Sequence, residues 1–381
     1  MKKKLLALIC ALSLAFSLTG CLFSTPDSVG TIGTVDITSG LYLLAQYNAY
    51  QAAADLASSD QDPTDAKAFL KETITVDADS GETATVRDYV SQHTLENLET
   101  YAAVETRFDE LGGQLTEDEE NQADSYASQL MDQYGDTYKA NGIGLATVQR
   151  FERILIKSGD LLELVYGPDG ETPVSDDDLT AHLKNEMYEL AYYVVPLYNS
   201  STYAFADDDQ TSEMLGLVQD AVDQTNALAA LCPDLSNSEA SQSVLNYFAA
   251  SVTTALPDVY AVLGGTYSSD SSSSLQTELI GDATVASAFT ADGAADTIRS
   301  LSIGQATALQ YNGYAMMVAL RLDPLSLNSL DNLRTQALND MKSDELQDAL
   351  AEYGASLEHS LNSSAMNKMS ASKIVNTSSN S

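Results

Sequence analysis

The sequence predicts a mainly helical α+β protein, in which a short α/β segment interrupts a helical lobe. Helical periodicity dominates up to residue 188, sequence typical of strands begins at residue 189, and a helical pattern returns after Asp323-Pro324. The chain of 381 residues is long enough for two domains, and its 44% hydrophobic residues indicate globular structure.

The first 21 residues predict an export signal. Lys2 to Lys4 precede an apolar run, Leu5 to Leu18, that is too short for a permanent bilayer span. The ending Leu18-Thr19-Gly20-Cys21 resembles the lipobox of bacterial lipoproteins, in which the cysteine is acylated and the peptide is cut before it. An ordinary secretory signal with a chance cysteine is the alternative. We expect lipidated Cys21 to hold the protein at the membrane, outside the cytoplasm, on the outer face of the cytoplasmic membrane in a single-membrane cell.

The charge balance excludes some ligands. There are 55 Asp plus Glu against 18 Lys plus Arg, and the acidic residues are spread along the chain. Such a surface repels nucleic acid and anionic lipid headgroups, so neither is expected as a direct ligand. A solubilising role for this charge is favoured over a role as a cation store.

Cysteine and histidine give little chemistry. Cys10 leaves with the signal, and Cys232 is a lone thiol in an apolar run, so a buried structural role is expected for it. His182 lies among acidic residues, but a predicted helix cap at Ser175 explains those acids. No metal site, cofactor or catalytic residue is therefore assigned.

The helical lobe is predicted to begin with a strand. Its first elements are a strand over 29–37 that turns at Gly33, a helix over 39–57 capped by Ser39, and a loop near 78–82. Helices over 85–111, 116–134 and 147–165 follow, and a Thr116–Glu119 capping box opens the helix over 116–134. After residue 323 one long helical pattern is expected, with Leu346, Leu350, Tyr353, Leu357 and Leu361 on a single stripe.

The intervening segment predicts a small sheet. A strand over 190–198 precedes helices over 211–231 and 236–256, a serine loop over 268–274, the segment 275–280 and a short helix over 294–301. Gly304 suits a left-handed cap, and Asn312-Gly313 suits a two-residue hairpin turn between an edge strand and a buried strand, Tyr314 to Leu320.

This order of strand, helices, short helix, glycine, strand, tight turn and strand resembles a parvulin domain, a small α/β fold of peptidyl-prolyl isomerases. With a helical lobe on either side and a lipobox in front, the whole chain resembles the extracytoplasmic foldase lipoproteins of the PrsA type and their soluble relative SurA. The resemblance implies a signal peptide and lipobox over 1–21, a helical chaperone-like lobe over 22–188, a parvulin-like domain over 189–322, and a C-terminal helix over 323–381 that returns to the lobe and ends in a polar tail.

The resemblance also implies two histidines that this chain lacks. Parvulins usually carry one in the first strand and one two residues after the glycine of the last hairpin, positions that fall at about Tyr192 and at Ala315. The chain's histidines, His93, His182 and His359, are all predicted in helices outside the domain. The apolar pocket expected over 289–295 is interrupted by Thr290, Asp292 and Gly293.

We therefore expect a degenerate parvulin scaffold that binds unfolded or nascent exported polypeptides with little or no isomerisation. The candidate peptide-binding residues are aromatic or Met side chains, whose contact area is adaptable: Tyr192, Tyr193, Tyr311, Tyr314, Met316 and Met317. Core packing is the alternative for each of them. The sequence also leaves open an active isomerase in which Tyr replaces His, a surface lipoprotein that uses the scaffold for another ligand, and a homodimer.

Overall fold

The computed structural model describes residues 26–78, 80–268 and 274–376. Cys21, its signal segment and most of the serine loop lie outside the described residues. The chain divides into two compact units, one comprising residues up to Thr172 together with those from Lys342 onward, and the other comprising Pro173–Met341. Both contain helices and small antiparallel sheets, which confirms the α+β class. None of the helices in the described ranges has the length and apolar content needed to cross a bilayer.

The first unit is mainly helical. Its elements are β1 (Ser28–Ile32), β2 (Val35–Thr38), α1 (Ser39–Asp55), α2 (Ala66–Phe69), β3 (Thr73–Asp77), β4 (Glu82–Thr85), α3 (Val86–Glu110), α4 (Glu117–Ala140) and α5 (Leu145–Tyr166). Helix α1 is buried over most of its circumference and packs against α3, as its near-continuous apolar sequence predicts.

Several predicted boundaries in this unit need correction. The cap of α1 is Thr38 and not Ser39, because the Thr38 hydroxyl accepts the Leu41 N–H. The Thr116–Glu119 capping box is confirmed, but α4 continues beyond residue 134 to Ala140. Helix α5 begins at Leu145, two residues before the predicted start, without a side-chain cap. The loop predicted near 78–82 falls between β3 and β4, which pair antiparallel with Asp77 opposite Glu82.

The second unit is built around a four-stranded antiparallel sheet. Its elements are α6 (Asp176–Asn185), β5 (Tyr188–Pro196), α7 (Asp208–Ala229), α8 (Ser238–Val262), β6 (Gln276–Ile280), α9 (Asp282–Ala288), α10 (Ala294–Ser300), β7 (Ala306–Asn312), β8 (Ala315–Leu322) and α11 (Pro324–Leu327). The strand order is β6–β5–β8–β7. Helices α7 and α8 cover one face of the sheet, and α9 and α10 cover the other.

The C-terminal segment corrects one prediction. Helix α12 (Leu330–Ser356) contains the unit boundary at Met341, and it is followed by β9 (His359–Leu361) and α13 (Ser363–Lys368). The predicted stripe continued as helix through Leu361, but Leu361 lies in β9, which pairs antiparallel with β1. His359 is therefore in a strand and not in a helix. Within the first unit, the C-terminal segment thus completes the sheet that the N-terminal hairpin begins.

The last hairpin is confirmed with a shift of one residue. Asn312 pairs with Ala315, so Gly313 and Tyr314 form the two-residue connection. The Asn312 side chain, through Oδ1, accepts the N–H groups of Tyr314 and Ala315 at 2.8 and 3.0 Å. Strand β7 is an edge strand and β8 is buried throughout, as predicted. Gly304 has φ +84°, the left-handed conformation expected of it.

Arg321 fixes where β5 starts against β8. Its buried guanidinium donates to the carbonyl of Leu301 at 2.6 Å, and to those of Lys184 and Met187 at 3.1 and 3.2 Å. The Lys184 carbonyl belongs to the last turn of α6, where a cation is favoured because the final carbonyls lack helical partners. Arg321 also lies over the Tyr188 ring, 4.7 Å from its centroid. One side chain thus joins α6, the start of β5 and the segment before β7.

We expect Arg321→Met to destabilise the second unit by about 2–4 kcal/mol, because three carbonyl groups lose a charged donor. Arg299→Met is the matched control, since Arg299 makes an exposed ion pair with Asp282 and its removal is expected to leave the unfolding transition unchanged. Urea unfolding followed by near-UV circular dichroism measures both. Equal midpoints for wild type and Arg321→Met would contradict this role.

Candidate functional site

A cleft of about 280 Å³ lies on the face of the sheet that α9 and α10 cover. Strands β5, β6, β7 and β8 form its floor, and α9 forms one wall. Its lining is mostly apolar and aromatic: Leu190, Tyr192, Val194, Gln276, Glu278, Ile280, Thr284, Ala288, Phe289, Tyr311 and Met317. The volume is near the lower limit of small-molecule sites, so the cleft suits one or two side chains of a longer ligand.

Strand alternation explains which residues reach the cleft. Successive side chains of a strand point to opposite faces, and Leu190, Tyr192 and Val194 are the alternate residues of β5 that face α9 and α10. Ala191, Tyr193 and Val195 lie in the core against α7 and α8. Both faces of β5 are therefore covered, and the cleft lies on the α9 side.

The structure brings together three of the six predicted peptide-binding residues. Tyr192, Tyr311 and Met317 line the cleft. Tyr193 and Met316 are buried on the opposite face, where they contact the α7–α8 layer. Tyr314 is 65% exposed at the tip of the β7–β8 hairpin, outside the cleft. The two buried residues pack in the core, the alternative that the sequence left open for each of them.

The most polar feature of the cleft is a Tyr192–Glu278 pair. The Tyr192 hydroxyl donates to the Glu278 carboxylate at 2.9 Å across strands β5 and β6. Burial, followed by the hydrogen bond to Glu278 and the charge of that carboxylate, raises the pKa of Tyr192 to about 12. The hydroxyl is thus protonated at neutral pH, so it can donate a hydrogen bond but cannot act as a base.

No histidine reaches the positions at which an isomerase of the implied type carries one. Tyr192 pairs with Ala319, whereas Ala315 pairs with Pro196, four residues further along β5. Since each residue advances a strand by about 3.3 Å, the two positions inferred from the sequence lie about 13 Å apart along the ladder. Ala319 is the true cross-strand neighbour of Tyr192, and it carries no acid–base group either.

His182 lies on α6, which belongs to the same compact unit as the four-stranded sheet. Its Nε2 is 2.7 Å from an Asp340 carboxylate oxygen, and it does not line the cleft. The residue therefore has a local partner that accounts for it.

Sequence reasoning missed Phe289 and the Glu278 side of the cleft. Phe289 is buried, and its ring centroid is 5.6 Å from that of Tyr311. Of the range 289–295, only Phe289 lines the cleft; Thr290, Asp292 and Gly293 are exposed, and the alanines around them pack in the same core cluster as Phe289. The alternation of Leu190, Tyr192 and Val194 in the sequence indicates that the three side chains share one face of β5. It does not indicate whether the helices over that face leave a cleft.

Other chemistry finds less support in the described residues. No group of three or more His, Cys, Asp or Glu side chains among them is arranged to hold a metal ion. A smaller cavity of about 180 Å³ in the first unit has an apolar wall from α5 and α12, and its Arg107 is ion-paired with Glu110 and Glu171.

Neither a protein-family model nor a curated protein matches the sequence. The functional proposal therefore depends on the residues of this chain.

A buried acid lies on the opposite face of the same strand. Glu189 is 5% exposed and pairs with Leu279 and Leu322 in the ladders. Within the described ranges its carboxylate has no hydrogen-bond or ion-pair partner, and burial raises its pKa from 4.5 to about 7. The folded protein therefore favours the neutral acid.

This gives a pH dependence of defined sign. The pKa of Glu189 is higher in the folded state than in the unfolded state. The stability that the protein has while Glu189 is neutral is therefore fully present below about pH 4.5 and is lost as the pH rises through about 7. We expect Glu189→Gln to raise the free energy of unfolding at pH 8 by on the order of 2–3 kcal/mol and to change it little near pH 4.5. Urea unfolding at several pH values measures this, with the exposed Glu213→Gln on α7 as control. Parallel pH profiles for wild type and Glu189→Gln would contradict it.

Proposed function

We propose that the chain is a membrane-anchored extracytoplasmic foldase or holdase of the PrsA/SurA-like type, which binds exported polypeptides with little or no prolyl isomerisation. One observation carries the proposal. An apolar, aromatic cleft lies on the sheet where the resemblance implies a proline pocket, and no imidazole reaches it. The arrangement suits binding of chain segments and lacks the usual groups for the reaction.

The order of elements supports the same proposal. In the second unit a strand, two helices, short helices and a final hairpin follow each other in the order that the resemblance implies, with strand β6 and a second short helix in addition. In the first unit, β9 pairs with β1, so the C-terminal segment returns to the N-terminal lobe. A chaperone needs such a lobe to be stable without its client, and the buried helix α1 provides that core.

The lining of the cleft is suited to varied polypeptides. Phe289, Tyr311 and Met317 offer aromatic and thioether surface, which accepts apolar side chains of different shape. A cleft of about 280 Å³ holds only part of a ligand, so affinity for any one segment is expected to be modest. Modest affinity allows a client to be released and to fold.

Isomerisation makes a stricter demand. Rotation about a prolyl peptide bond faces a barrier of about 20 kcal/mol, so a catalyst must stabilise a twisted amide. The one observation that favours retained activity is the Tyr192–Glu278 pair, because the hydroxyl of the half-buried Tyr192 is a donor that such an amide needs. Its proton is already held by a carboxylate, which opposes this use. An active isomerase is therefore the second candidate.

A substitution that fills the cleft tests the proposal. We expect the mature protein to suppress aggregation of a chemically denatured model substrate, and Thr284→Trp to lose most of this effect because the indole occupies the cleft. Ala286→Trp is the matched control, since Ala286 is exposed on the same helix, about 200° around it from Thr284, and does not line the cleft. Light scattering during refolding measures all three proteins.

A proline-peptide assay on the same proteins separates the two candidates. We expect no acceleration of cis–trans isomerisation by the wild type. Acceleration that Tyr192→Phe abolishes would favour the active isomerase. Equal suppression of aggregation by Thr284→Trp and the wild type would contradict the assignment of the cleft.

A further inference from the structure

A second exposed surface lies at the hairpin end of the sheet. It consists of three neighbouring rings, the half-buried Tyr198 and the exposed Phe205 and Tyr314, together with the exposed Tyr203 of the same loop, and we call it the hairpin-tip patch. Tyr203, Phe205 and Tyr314 are 76%, 57% and 65% exposed. The ring centroid of Phe205 lies 5.8 Å from that of Tyr198 and 5.9 Å from that of Tyr314. Clustered exposed rings differ from single exposed apolar residues because contiguous patches mark interaction surfaces.

Loop 199–205 holds the patch in a fixed shape. Asn199 Oδ1 accepts the N–H groups of Ser201 and Thr202, and its Nδ2 donates to the Leu263 carbonyl at 2.6 Å. The Asn199 carbonyl accepts the Tyr203 N–H, and Phe205 bridges to Tyr198. Tyr203 has φ +56°, an uncommon conformation for a bulky residue. The loop is therefore ordered around rings that point to solvent.

The patch is separate from the cleft. Along the β5–β8 ladder, Val194 and Met317 are the last cleft-lining pair, and Pro196 pairs with Ala315 beyond them. Leu197 then donates to the carbonyl of Tyr314 at the hairpin turn. None of the four patch residues lines the cleft.

The spacing of the rings fits an extended polypeptide. Alternate side chains of a strand lie on one face, about 6.6 Å apart. The Phe205 ring lies near 6 Å from both the Tyr198 and the Tyr314 ring, so neighbouring rings of the patch can contact successive same-face side chains of one extended segment. Side chains on the other face of that segment would be free to meet the rim of the patch.

The rim and the unit around it are anionic. Asp207, Asp208 and Asp209 are exposed, follow Phe205 after Ala206, and open helix α7, where the N–H of Gln210 donates to Asp207. The sequence from 185 to 298 contains no Lys or Arg, and residues 173–341 carry 22 acidic against 4 basic side chains. Those four are already engaged: Lys184 with Asp323, Arg299 with Asp282, Arg334 with Asp176, and Arg321 with carbonyl groups. No described cation of this unit is therefore left to balance the carboxylates near the patch.

We propose that the hairpin-tip patch binds extended cationic polypeptide segments, in which apolar or aromatic side chains alternate with Lys or Arg. The rings take the apolar side chains, the aspartates attract the basic ones, and a basic group over a ring adds a cation–π contact. This surface goes beyond the cleft, and it would bind such segments even if the cleft bound nothing. A second copy of this chain is disfavoured as the occupant, because two surfaces of the same negative charge repel each other.

The probe for the test is a fluorescein-labelled peptide of about ten residues that alternates Phe and Lys, long enough to pass the three rings. Fluorescence anisotropy with the purified mature protein measures its affinity. Its controls are a Phe/Glu peptide and a Ser/Lys peptide. We expect only the Phe/Lys peptide to bind, and its Kd to rise at least about tenfold between about 50 mM and about 500 mM NaCl.

Variants locate the binding. Phe205→Ser/Tyr314→Ser removes two exposed rings, and we expect it to weaken binding at least about tenfold. Tyr247→Ser, a partly exposed tyrosine on α8 outside the patch, and Thr284→Trp in the cleft are expected to leave binding unchanged. Loss of binding in Thr284→Trp with none in the double variant would overturn the proposal in favour of the cleft. Binding of the Phe/Glu peptide, or no binding of any peptide, would also overturn it.

Analytical ultracentrifugation tests whether a second copy of this chain occupies the hairpin-tip patch. We expect a sedimentation coefficient that does not depend on protein concentration. A dimer that Phe205→Ser/Tyr314→Ser dissociates would show that a second copy occupies the patch, contrary to the proposal.

Discussion

The register of β5 against β8 is the constraint on which the second unit depends. Both faces of β5 are covered, so a slip of one residue would move Tyr193 into the cleft and Tyr192 into the α7–α8 core. Arg321 opposes such a slip, because it lies in β8 and binds the Lys184 and Met187 carbonyls just before β5 begins. At the other end, the Asn312 side chain fixes the turn that joins β7 to β8. The cleft and the hairpin-tip patch are both consequences of this register.

The cleft and the hairpin-tip patch differ in the number of carboxylates near them. The cleft contains one carboxylate, Glu278, already bound by the Tyr192 hydroxyl, so its contacts are mainly apolar. The hairpin-tip patch is followed in the chain by Asp207–Asp209, which are exposed at the start of α7 and attract basic ligands. Exported chains that carry both apolar and basic segments could thus meet both surfaces, and two weak contacts on one client raise its effective affinity. Under the proposed foldase function, weak single contacts would allow stepwise release of a client.

Local signals in the sequence were enough for much of the fold. The Thr116–Glu119 box, the left-handed Gly304 and the final hairpin were predictable because each depends on neighbouring residues. The strand at Leu361 was not, since its partner β1 is more than 300 residues away and its spacing continues a helical stripe. The candidate site shows the same division. Tyr192, Tyr311 and Met317 were named from composition, but only packing shows that Met316 faces the other way. Phe289 was not predicted to line the cleft, because polar residues follow it in the sequence.

The central claim is that unfolded chains bind in the cleft, and site-specific photo-crosslinking tests it most directly. A photoreactive phenylalanine analogue at position 284 lies in the cleft wall, and the same group at position 286 lies on the opposite, exposed side of α9. With a chemically denatured client present, the account predicts strong crosslinking from position 284, weak crosslinking from position 286, and none from either once the client has folded. Equal crosslinking from both positions, or crosslinking of the folded client, would contradict it.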